Sequence, residues 1–201
     1  MIVKTKLIAT VVSFLIAVVS TAQSSKPVTE YLNVPGPLVL NKESFNLTWS
    51  SHPSANYYKQ EYIGAKDKIE KFKKMLMVEV LIGEVKAADL AKAKVAELTQ
   101  LKLTNPMVNH EMFQKDGEII IDFLISDNSP DGKTVNIIER NVYRYKDITE
   151  KNGKNGVMLF AASERAYGNA VDTFLSALKK NKSVLLNAVA AFIIPQITIK
   201  K

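Results

Sequence analysis

The chain contains no cysteine, which excludes a disulfide framework, thiol catalysis and thiolate metal sites. Histidine is nearly as scarce, with only His52 and His110 among 201 residues. No stretch reaches the roughly 18 consecutive apolar residues of a membrane-spanning helix; beyond the N-terminal run, residues 184–194 come nearest and are interrupted by Asn187. There is no internal repeat and no long low-complexity linker, so one domain beyond the N-terminal leader is the simplest organisation. The few glycines fall in separated turns and make no phosphate-cradling loop. Gly-x-Ser-x-Gly, Ser-x-x-Lys and His-Glu-x-x-His are absent as well, which removes the familiar nucleophile and zinc-protease signals.

What is present is an ordinary globular composition, 47% hydrophobic and 23% charged, sufficient for a real core. The first 22 residues form a three-part signal peptide. Lys4 and Lys6 supply a positive start, residues 7–19 an apolar run, and Ser20 and Ala22 the small residues of a cleavage site. Thirteen helical residues reach about 20 Å against a hydrocarbon core of about 30 Å, which favours cleavage over anchoring. No cysteine stands at the cut to accept a lipid. The expected organisation is a signal peptide at 1–22 and a single α+β domain at 23–201, exported to the periplasm or secreted, with no stable membrane span after cleavage. Loss of Lys4 and Lys6 takes the net charge from +7 to +5. That balance is modest, and lysines such as Lys66, Lys68 and Lys71 alternate with Asp67 and Glu70, as on a solvated face. No nucleic-acid partner is expected.

Periodicity organises the rest. Pro35-Gly36-Pro37 punctuates the entrance. Period-two alternation predicts strands at residues 45–49 and 57–63, joined by a loop at 51–54. The apolar stretch 75–82, rich in Val and Ile, predicts a well-buried strand. Residues 85–101 place Val85, Ala88, Leu90, Ala91, Val95, Leu98 and Leu101 at helical spacing, with Lys and Glu opposite. Four strands follow, at 108–114, 118–125, 135–145 and 157–164. Turns at Asp116-Gly117, at 127–132 and at 151–156 separate them. A helix starts after Gly168 with Asn169 as its cap, a second helical piece covers 183–192, and 197–200 forms a tail suited to an edge strand. The expectation is an antiparallel sheet of about six to seven strands packed by two main helices. The succession of helix, four-strand meander and closing helix looks like the PsbP/Mog1-like topology, with a cystatin-like sheet as the rival. Fold alone carries no function.

Candidate chemistry is thin. His110 and Glu111 are adjacent on a strand, so their side chains point to opposite faces, which argues against joint metal ligation. Asp127 and Asp131 resemble a calcium loop in composition, but Pro130 intrudes and the ligand position at 138 is Ile138. No metal site and no cofactor is expected. Trp49, Tyr57, Tyr58 and Tyr62 are the candidate binding residues, because aromatics on extended segments can form a face for a protein, glycan or lipid. Packing within the sheet is the competing role. Charges at Glu139, Arg140, Arg144, Glu164 and Arg165 are expected to pair across strands.

The short leader ending in Thr21-Ala22-Gln23, with Tyr31-Leu-Asn-Val-Pro-Gly-Pro-Leu38, Trp49-Ser-Ser-His-Pro53, Tyr57-Tyr-Lys-Gln-Glu-Tyr62 and Asn128-Ser-Pro-Asp-Gly-Lys133, resembles uncharacterised exported proteins of Bacteroidetes-type bacteria. The resemblance implies an envelope or secreted location and no reaction. An exported, non-enzymatic binding or envelope-associated module is therefore favoured. The alternative is a secreted hydrolase or metal-assisted enzyme using His52, His110 and Glu111, which requires those side chains to converge. The leader is checked by the intact mass of the protein recovered from its host: a soluble chain beginning at Gln23 is expected, and an uncleaved chain held in membranes refutes it.

Overall fold

The computed structural model describes residues 28–200. The leader expected at residues 1–22 lies outside the described residues, as does the expected start of the domain at residue 23. The elements run β1 (Leu38–Leu40), β2 (Glu43–Ser54), β3 (Tyr57–Ile63), β4 (Lys74–Ile82), α1 (Ala87–Lys102), β5 (Asn109–Lys115), β6 (Glu118–Asn128), β7 (Val135–Thr149), β8 (Asn155–Tyr167) and α2 (Val171–Ala191). All strands join one antiparallel sheet in the order β1-β2-β3-β4-β8-β7-β6-β5. The sheet curls into a half-barrel with two helices, and the chain is α+β.

The expected sheet of six to seven strands, with its PsbP/Mog1-like or cystatin-like outline, is thus corrected to an eight-stranded curled sheet. The additional strand is β1, whose three residues are too short to display an alternation, although Leu38 and Leu40 point into the core. β2 also runs through residues 51–54, which the sequence marks as a loop because of Pro53. Beyond Phe45, β2 has no partner on its outer side, and an edge tolerates the missing proline donor. At the far end of the sheet, Asn155 and Gly156 belong to β8 rather than to a turn. The two helical pieces near the C-terminus form one kinked helix with a single non-helical residue, Asn181 (φ −121°, ψ 21°). Asn169 does not cap it; residues Gly168–Ala170 form a 3-10 turn and no side chain caps α2. The tail is no strand either. The Thr198 and Lys200 amides donate to the carbonyls of Leu32 and Tyr31, at 3.0 and 2.8 Å.

Burial on both faces explains the long apolar runs of β4 and β8. On one face, Met77, Ile121, Phe123, Leu159 and Ala161 pack under Ala91 and Leu98 of α1. On the other, Leu76, Val78, Val142 and Phe160 pack under Leu185 and Val189 of α2. Polar side chains fasten these layers. The Asp147 carboxylate accepts from the Ala87 amide at 2.7 Å, supplying the cap that Lys86 does not and placing negative charge at the helix N-terminus. Arg144 donates to the Val189 and Phe192 carbonyls at 3.0 and 2.8 Å, satisfying the carbonyls left over at the end of α2. The fully buried Arg140 forms a bidentate pair with Asp122, at 3.0 and 2.8 Å, and reaches the Lys182 carbonyl just past the kink.

Among the described residues, β4 with β8 is the only strand pairing between the two four-stranded halves, in unbroken register from Lys74 opposite Glu164 to Ile82 opposite Gly156. A Cβ at Gly156 would stand 2.4 Å from the Leu81 carbonyl oxygen and 3.0 Å from the Ile82 Cα, whereas one at Gly64 meets nothing within 4 Å. Gly156→Ala is expected to cost about 2–3 kcal/mol and Gly64→Ala less than about 0.5 kcal/mol. Both are read as shifts in urea midpoint at unchanged slope. Equal midpoints for the two variants would contradict the tight strand crossing.

Candidate functional site

Helix α1 lies over β5, β6 and β7. Yet Tyr57 of β3 and Glu79 and Leu81 of β4 line the same cleft as the flank of the helix, a space of about 790 Å³. That volume falls in the usual range for small-molecule sites. Alternation and register put the strand residues on one surface. Tyr57 stands opposite Leu81, Glu79 opposite Leu159 and Leu159 opposite Tyr145, and residues two apart on one strand share a face. The opposing wall comes from α1, where Leu90, Ala93, Lys94, Ala96 and Glu97 line the cleft. Two of these are alanines, and their small side chains leave the space open.

Within mostly apolar walls, polar groups are few and placed. Glu79 shares a single cation, Lys59, with Glu61. Lys59 Nζ lies 2.9 Å from Glu61 and 3.5 Å from Glu79, so the closer bond goes to Glu61. Lys94 pairs with Glu97 at 2.7 Å and stands 5.8 Å from the Tyr143 ring centre. Tyr143 meets Tyr145 and Phe123 edge-on, at centroid distances of 6.3 and 4.8 Å. Tyr145 is 4% exposed, and its hydroxyl has no hydrogen-bond partner among the described residues. Burial, and then the negative charge of Glu79, push the phenols of Tyr57, Tyr143 and Tyr145 above the ordinary tyrosine value. All three rings remain neutral at physiological pH.

The four aromatics singled out in the sequence do not form one surface. Tyr57 lines the cleft. Trp49 is exposed near the sheet edge, opposite Glu61, with the Lys59 ammonium 5.8 Å from its ring. Tyr58 and Tyr62 point to the opposite face and are buried in its core. The Tyr62 hydroxyl donates to the Val34 carbonyl at 2.6 Å. Its neighbour Gln60 accepts from the Tyr31 and Leu32 amides and donates to the Val34 carbonyl. These two side chains pin the N-terminal segment to β3, which is a structural task.

His52 and His110 are not brought together. Five strands lie between β2 and β5, about 29 Å measured along the sheet at roughly 4.8 Å per strand. His52 stacks on Tyr58 with centroids 4.1 Å apart, and its Nδ1 donates to the Tyr57 carbonyl at 3.0 Å. His110 stands opposite Phe123 on β6, while Glu111 pairs with Lys182 of α2. Among the described residues, no group of three or more His, Asp or Glu side chains could hold a metal ion. No helix among them is long and apolar enough to cross a membrane. Sequence reasoning missed Glu79, although it left a signal as the one charged residue within the apolar stretch 75–82. The alanines of the α1 flank left none, because an exposed alanine is an unremarkable helix residue.

A protein-family model matches residues 32–194, most of the chain and nearly all of the described structure. No curated protein and no solved structure matches the chain.

The raised phenols have a direct optical consequence. Tyr143→Phe and Tyr145→Phe are each expected to leave the near-ultraviolet phenolate titration superimposable on that of the parent up to about pH 11, because neither ring ionises there. Loss of a titrating group near pH 10 in either variant would contradict the burial described.

Proposed function

The chain belongs to the uncharacterised family matched over residues 32–194, and we propose that it is an exported, non-enzymatic binding module that holds a small, largely apolar molecule beside α1. One observation carries the reading: a cleft of about 790 Å³ whose mostly apolar walls hold Glu79 on the sheet side, the Lys94–Glu97 pair on the helix side, and three neutral tyrosines. Concave apolar sites with a few convergent polar groups are the usual form of small-molecule sites. The walls stand on strands and a capped helix, so little ordering is required on binding. Export is supported by the leader pattern at residues 1–22 and by the resemblance to exported proteins of Bacteroidetes-type bacteria. The proposed location is the periplasm or the outside of the cell.

The cleft also accounts for the difference between the two helices. α2 covers its face of the sheet with help from residues 31–34 and the C-terminal tail, which add Leu32, Val34 and Ile197 to that core. α1 has no such companion over β3 and β4, and the apolar surface of Leu81, Val157 and Leu159 is left beside it. Burying that surface contributes about 25 cal/mol for each Å² removed from water.

A neutral apolar fluorophore, N-phenyl-1-naphthylamine, tests the site. The protein is expected to bind it saturably, with one molecule per chain. Ala96→Trp, which fills the cleft from an exposed helix position, is expected to weaken binding at least about tenfold, equivalent to 1.4 kcal/mol, while leaving thermal stability within a few degrees. No saturable uptake, or equal uptake by the variant, overturns the proposal.

A further inference from the structure

We propose that the cleft beside α1 selects organic cations, in the form of a protonated amine carrying an apolar tail. This inference rests on the ligand-binding reading of the same cleft and adds the sign of the ligand's charge. The charges at the cleft do not balance. Glu79, Glu97 and Lys94 line the cleft, and Lys59 and Glu61 are the ion-paired neighbours of Glu79; these five groups carry one negative charge in excess. Lys59 sits closer to Glu61 than to Glu79, and although the Tyr57 hydroxyl also donates to Glu79, a carboxylate has about four accepting positions, so Glu79 keeps capacity to accept from an incoming ammonium. It lies among apolar walls, where a charge pair is screened less than in water.

The surrounding aromatics suit the same ligand. The rings of Tyr57, Tyr143 and Tyr145 line the cleft around Glu79, and aromatic faces attract cations. Tyr145, almost wholly buried, presents a hydroxyl with no protein partner among the described residues, and its neutral oxygen can accept from an amine. The apolar tail would lie on Leu81, Val157 and Leu159. An anion meets the opposite situation, since the only cations at hand, Lys59 and Lys94, are already paired.

The second large cleft, about 590 Å³ beneath α2, offers no comparable case. Three of its four cations are paired, Lys74 with Glu43, Arg140 with Asp122 and Arg165 with Glu139, and the fourth, Lys73, is offset in charge by Glu164 of the same lining. The whole chain is basic, with a formal net charge of +7, so long-range attraction favours anions. Preference for a cation can therefore arise only from the local arrangement.

Calorimetric titration of the mature chain with octylammonium and octanoate, each below its micelle concentration, and with octan-1-ol below its solubility limit, separates the claims. Octylammonium is expected to bind about tenfold or more tightly than octan-1-ol, with octanoate weakest and octylammonium affinity falling as salt rises. Glu79→Gln is expected to bring octylammonium down to the level of octan-1-ol while leaving octan-1-ol unchanged. Should that variant fold poorly, Glu97→Gln, on the exposed flank of α1, is expected to lower octylammonium binding by a smaller factor. Equal binding of the three probes, tighter binding of octanoate, or insensitivity of octylammonium to both substitutions overturns the cation selectivity and leaves the apolar site standing. Binding of none of the three overturns the site itself and the selectivity with it.

Discussion

The pairing of β4 with β8 is the constraint on which the rest of the molecule depends. Among the described residues it is the only strand pairing between the two four-stranded meanders, and it joins residues about eighty positions apart in the chain. Closing so long a loop is entropically costly, and β4–β8 packing on both faces provides the offset: Leu76, Val78 and Phe160 on one side, Met77, Leu159 and Ala161 on the other. Both cores run across this seam. Without it, neither helix has a complete surface to cover, and Glu79 and Leu81 are not set beside Val157 and Leu159. The requirement at Gly156 follows from the same seam, because the β8 backbone passes too close to Leu81 for any Cβ.

The two faces of the seam are finished differently. On the α2 face, buried polar side chains act as fasteners. Gln60 and Tyr62 hold residues 31–34, Arg140 holds the kinked helix at Lys182 and Arg144 holds its end. Each donor and acceptor pair is satisfied within the protein, as the low dielectric there demands. On the α1 face, Asp147 secures the N-terminus of the helix, and beyond the helix the floor stays open. The cleft is therefore a consequence of unequal covering rather than of a separate structural element.

Sequence patterns reveal much of this architecture and little of the site. The helix at 87–102, the hairpin around Asp116-Gly117 and the buried strand β4 are legible because period and turn chemistry are local properties. β1 is not, because three residues are too few to show a period, and Pro53 hides the end of β2 because its tolerance depends on which neighbour β2 lacks. The pairing of β4 with β8 leaves no local trace at all. The candidate aromatics show the same limit. Alternation separates Tyr57 from Tyr58 and Tyr62 in principle, but which face is open depends on where α1 and residues 31–34 lie. Tyr143 and Tyr145 join Tyr57 only through three strand registers.

Glu79 marks where folding and binding pull apart. A carboxylate in the middle of a strand buried on both faces loses hydration, and its single nearby cation, Lys59, is divided with Glu61. For packing alone, an apolar residue would suit position 79 better, continuing the Val and Leu of β4 on to Leu159. The same carboxylate adds to the effect of burial in raising the phenols of Tyr57, Tyr143 and Tyr145 and gives an otherwise featureless apolar floor one charged point. Local features that run against the stability of the fold are concentrated at functional sites. By that criterion the floor of the cleft, and not the exposed Trp49 or the stacked His52, is the place in this molecule that fits the proposed binding role.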